Sequence, residues 1–136
     1  MLKNQKGFTV LEILIAFVVA VVAIVGIYTS VLYAEAQLKR NHHHRAAILL
    51  ASGECDKQIY YLKSYGVLQQ FAEKTVTIEK YDDGSYLNGK MYLTSHTETD
   101  YSFGSGVEYL IIEIKVEWTE GEDEILDIVV REDFYH

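Results

Sequence analysis

Four groups of residues have types and spacings that could do chemistry. Glu12 is a lone carboxylate at the entrance to an apolar run, since no charged residue stands between Ile13 and Ala34. Insertion scales put a charge at the centre of a bilayer at roughly 2.5–3.5 kcal/mol, and less near the interface. Taken alone, Glu12 is therefore a carboxylate that snorkels toward the headgroups. His42, His43 and His44 invite a metal reading. Consecutive helical residues point about 100° apart, so the three cannot share one site, and a solvated helix surface is expected instead. Cys55 is the single cysteine; it cannot close an intrachain disulfide and reads as a small buried hydrophobe, with an intersubunit bond as the alternative. Glu120, Glu122, Asp123 and Glu124 could offer oxygen ligands to calcium. They lack the regular spacing of a calcium-binding loop and read as a wet hairpin tip, so no metal is assigned. No nucleophile elbow, phosphate loop, paired-histidine zinc motif or C-x-x-C spacing is present. No catalytic residue and no cofactor is assigned, and the chain is not read as an enzyme.

The elements that must position these residues follow from hydropathy. The charge-free run of 22 residues would extend roughly 33 Å as a helix, enough to cross a hydrocarbon core about 30 Å thick. Glu35, Lys39 and Arg40 mark its exit into water, and Tyr28 and Tyr33 sit near its outer end, where interfacial aromatics belong. The helix continues to about Lys63 as an amphipathic segment. Ile48, Ser52, Cys55, Ile59 and Leu62 form its apolar face, with Leu49 beside it; Glu54, Asp56 and Lys57 are placed elsewhere. Gly66 is the expected C-cap. Strands are expected over Thr75–Glu79, Lys90–Ser95, Val107–Trp118 and Ile125–Arg131. The turns fall at Asp82-Asp83-Gly84-Ser85 and Thr119–Glu124, and Thr97–Gly106 reads as a polar loop. Ile112, Ile114, Val116 and Trp118 alternate with charged residues, the pattern of an antiparallel strand with one wet face. The fold class is α+β: a long helix laid on a small antiparallel sheet of about four strands.

Charge narrows the partners. The formal net charge is −8. From Gly66 onward 16 acidic residues face 5 basic ones, so this part repels a phosphate backbone and no nucleic-acid partner is expected. Lys3 and Lys6 ahead of the apolar run place the N-terminus in the cytoplasm and the bulk of the chain outside the membrane. An ordinary secretory signal has an apolar core of about 7–15 residues followed by its cleavage site. Here the run is too long.

The segment Lys6-Gly7-Phe8-Thr9-Val10-Leu11-Glu12 followed by this run resembles the N-terminus of the type IV pilin family, which includes pilins and the pseudopilins of type II secretion and competence. Gly7, Phe8, Thr9, Leu11 and Glu12 match the family pattern. The resemblance covers about the first third of the chain. It implies cleavage between Gly7 and Phe8 by a prepilin peptidase and N-methylation of Phe8. It also implies assembly through Glu12, which pairs with the Phe8 ammonium of a neighbouring subunit. The expected organisation is a leader over 1–7, a membrane and assembly segment over 8–34, an amphipathic half-helix over 35–65 and a β-rich part over 66–136. The expected partners are other pilin or pseudopilin subunits, the peptidase, an inner-membrane assembly platform and the cytoplasmic membrane, with a periplasmic or extracellular filament as destination. The chain departs from many family members in having no proline and no C-terminal disulfide. The missing disulfide and the short strand region point away from a major pilin and toward a minor subunit, and Arg45–Ser52 resembles the corresponding region of PilV-like minor pilins and the I-type minor pseudopilin. The alternative is a binding module at a filament tip, contacting secreted substrate, a surface or accessory proteins through Tyr101 and Phe103.

Overall fold

The computed structural model describes residues 9–102, 104, 106–121 and 124–135. One helix, α1 (Val10–Tyr65), precedes four strands: β1 (Lys74–Lys80), β2 (Tyr86–Asp100), β3 (Val107–Glu120) and β4 (Glu124–Tyr135). The strands form one antiparallel sheet in the order β1-β2-β3-β4. Contacts divide the chain into two units, residues 1–39 and 40–136.

In the first unit the described residues are helical from Val10 and almost wholly exposed. The helix has a mean hydropathy of 3.1 over its most apolar 18 residues, long and apolar enough to cross a membrane. Two hydroxyls of this run bond within the helix. Thr29 and Ser30 donate their hydroxyls to the Gly26 carbonyl at 3.0 and 2.8 Å, which spares them unpartnered hydroxyls in an apolar surrounding.

In the second unit α1 lies on the sheet. Ala47, Ala51 and Cys55 meet Val76, Ile78, Met91, Leu93, Ile112, Ile114, Val116 and Trp118 in one core. The helix contributes small side chains, and the sheet contributes the large ones. The alternation expected for β3 holds, and Trp118 is buried. Gly66 ends α1 with φ +71°, its N–H donating to the Leu62 carbonyl at 2.9 Å, as a C-cap glycine should. The Asp82–Ser85 turn also forms, with Asp83 accepting from the Ser85 N–H at 2.8 Å.

Three expectations fail here. The buried helix face is His43, Ala47, Ala51, Glu54, Cys55 and Gln58, while Leu49 is 72% exposed and Ile48 45%. The sheet takes the side where alanines let backbones approach, although bulkier apolar residues stand beside it. Glu54, expected among the solvated charges, lies on this face. It is buried because Lys74 and Lys57 reach it at 3.1 and 3.3 Å and the Gln58 amide donates to it at 2.9 Å. Thr97–Asp100, expected in a loop, belongs to β2. Thr97 to Asp100 pair in register with Leu110 to Val107, because backbone pairing needs no apolar side chain. β2 thus runs on to Asp100, and β4 likewise extends past Arg131 to Tyr135.

Candidate processing and assembly site

Gly7 and Phe8, the expected cleavage junction and methylation position, lie outside the described residues. The first described element of the motif is a helix start. The Thr9 N–H donates to Glu12 Oε2 at 2.8 Å, and the Glu12 N–H donates to Thr9 Oγ1 at 3.2 Å. The Thr9 hydroxyl also donates to Glu12 Oε2 at 3.0 Å. This reciprocal pair is a capping box, in which the first and fourth residues satisfy each other's free N–H groups. The T-x-x-E spacing is visible in the sequence, although Glu12 reads there as a membrane-edge carboxylate rather than as half of a cap. The carboxylate thus holds the helix start while staying exposed. A strip of exposed apolar side chains follows it from Ile13 through Leu32.

The other candidates are distributed elsewhere. Cys55 is buried, and burial together with the nearby charges of Glu132, Asp56 and Glu54 pushes its thiol up to about 11. A thiol so held is a packing group rather than a nucleophile. Tyr101 is exposed, and Phe103 lies outside the described residues. Of the four acids at the β3–β4 hairpin, Glu122 and Asp123 lie outside the described residues. Glu124 bonds Arg40 at 2.7 Å, and Glu120 faces the helix.

His43 corrects the expectation of a solvated histidine run: it is 1% exposed. Its Nδ1 lies 2.8 Å from Glu120 Oε2 and its Nε2 lies 2.5 Å from Glu79 Oε2. Trp118 donates its indole N–H to the same Glu120 oxygen at 3.0 Å. His44 stands edge-on to the Trp118 ring, with centroids 5.0 Å apart. The two acids reach the helix for different reasons. Glu120 continues the inward phase of Trp118. Glu79 is turned inward by a bulge, since the β1 register passes from Thr77↔Asn88 to Glu79↔Leu87 and leaves Ile78 unpaired. The i, i+4, i+8 series His43, Ala47, Ala51 carried the signal for the helix side, but a bulge cannot be read from β-branched alternation. The three groups do not form a metal site, because each acid occupies a different ring nitrogen.

Residues 2–28 match a family model described as the prokaryotic N-terminal methylation motif. The chain carries a type IV pilin-like methylation signal. No curated protein and no solved structure matches the chain. The methylation motif includes Gly7, Phe8, the Thr9–Glu12 capping box and the apolar helix as far as Tyr28. It is the signal of a processed subunit that packs with others of its type. The β-sheet unit lies beyond its reach.

Proposed function

We propose that the chain is a structural subunit, minor in abundance, of a type IV pilus or pseudopilus. A prepilin peptidase removes residues 1–7 and methylates Phe8. The mature chain waits in the cytoplasmic membrane with its N-terminus cytoplasmic, and an inner-membrane platform adds it to a filament of other pilins or pseudopilins. The observation that carries this reading is the methylation motif at residues 2–28 running directly into an exposed, charge-free helix. A helix apolar on all sides is suited to lipid and to a bundle of like helices.

Glu12 is the assembly residue. Once Phe8 is the N-terminus, its ammonium and the Glu12 carboxylate of a neighbour are opposite charges in an apolar bundle, and each relieves the other's desolvation. The chain performs no catalysis in this role. The absence of a possible intrachain disulfide and the short meander favour a minor over a major subunit.

The test is fractionation of cells that express the chain beside its native assembly genes. The chain should appear in sheared filaments at a small fraction of the most abundant subunit, and should remain wholly in the membrane when the peptidase is deleted. Retention in the membrane fraction of cells that make intact filaments would refute the proposal.

A further inference from the structure

The contacts of His43 require more protons than the ordinary charge states of its partners supply. Nδ1 faces both oxygens of Glu120 at 2.9 and 2.8 Å, and Nε2 faces Glu79 Oε2. Each contact needs a hydrogen between nitrogen and oxygen, since a ring lone pair turned on a carboxylate at that distance is repulsive. A neutral imidazole has one N–H. The Trp118 indole adds a second donor to the cluster but points only at Glu120. With both carboxylates ionised, all contacts are made only when both ring nitrogens carry protons.

We propose that His43, Glu79 and Glu120 form a proton-dependent latch fastening the beginning of the domain's helix to the sheet. The latch joins α1 to β1 and β3, two strands that β2 separates. At this level β2 presents Leu87 and Gly89, the register partners of Glu79 and Trp118. β4 contributes Glu124, which is held by Arg40. On α1 itself His42 lies with its ring 6.2 Å from that of His43, and His44 packs on Trp118. With its second proton, His43 bridges two inward carboxylates that would otherwise repel each other. When that proton leaves, one carboxylate faces a lone pair, and this end of the helix–sheet interface loosens. The latch's contribution is present with the proton bound and is lost once rising pH removes that proton.

The test uses the full chain in detergent micelles, with Trp118, its single tryptophan, as reporter. As pH is raised from mildly acidic to alkaline, the Trp118 emission should move to the red and the melting temperature should fall by several degrees. Nitrogen-15 shifts of the His43 ring should show loss of the second ring proton in step with the emission change. Glu79→Gln is the discriminating variant. Its amide can donate to the unprotonated ring nitrogen, so both pH effects should disappear while Trp118 stays shielded. His44, which also touches Trp118, is unchanged in this variant. The proposal is overturned if Glu79→Gln keeps the wild-type pH dependence, if wild type shows none, or if the His43 ring proton and Trp118 respond over different pH ranges.

Discussion

On the proposed filament reading, Glu12 serves two demands that different substitutions separate. As the fourth residue of a capping box it needs an acceptor that reaches the Thr9 N–H; as the partner of a neighbour's ammonium it needs a negative charge. Glu12→Gln keeps the first and removes the second, since glutamine also serves in capping boxes. The variant should be cleaved and inserted normally yet be lost from filaments, because breaking a buried pair costs about 3–5 kcal/mol. Thr9→Ala does the reverse: it should cost about 1 kcal/mol of helix stability and leave filament incorporation intact. Quantifying both variants in membrane and filament fractions checks the division; equal incorporation of Glu12→Gln and wild type would leave Glu12 as a cap alone. Cys55 makes a simpler case. With its thiol buried and pushed up to about 11, it should resist alkylation at neutral pH in the folded chain and react fully in denaturant, as a mass shift would show.

At the scale of elements, the strands were more legible than the helix. The alternation of Ile112, Ile114, Val116 and Trp118 is a two-residue pattern with one solution, and β3 follows it. The half-helix offered two adjacent apolar faces, and size misled: the sheet lies on alanines, leaving Leu49 outside. The bulge that turns Glu79 inward is an irregularity of pairing, with no signature in Thr75–Glu79. Gly89 shows how closely its neighbours in the sheet approach. A Cβ there would lie 2.8 Å from the Glu117 carbonyl oxygen and 2.9 Å from Ile78 Cδ1. Gly89→Ala should therefore destabilise the domain by about 1–3 kcal/mol, read as a lower melting temperature. Glu54 sets an acid limit. Burial pushes its carboxyl up, but hydrogen bonds from Lys74 and Gln58 and the charges of Lys74 and Lys57 outweigh burial and hold it below its usual value. Its contribution to stability is thus present above the unfolded carboxylate pKa, about 4.3, and is lost as pH falls through the lower folded value. Glu54→Gln should flatten the acid limb of the melting curve, and an unchanged limb would count against the assignment.

For the whole molecule, the sequence divides into a part read through its motif and a part read through its periodicity. Residues 2–28 carry the methylation motif, and the helix-on-sheet architecture follows from the amphipathic half-helix and the strand alternation. What could not be read was the polar fastening between the two layers, because His43, Glu79 and Glu120 are far apart in sequence and each looks solvated in isolation. A processed filament subunit carries the mark of its processing at its N-terminus. Intact-mass analysis of the chain purified from cells that contain a prepilin peptidase should show a protein beginning at Phe8, heavier by one methyl group than the unmodified sequence from that residue. A chain that still begins at Met1 in those cells would rule out a processed filament subunit.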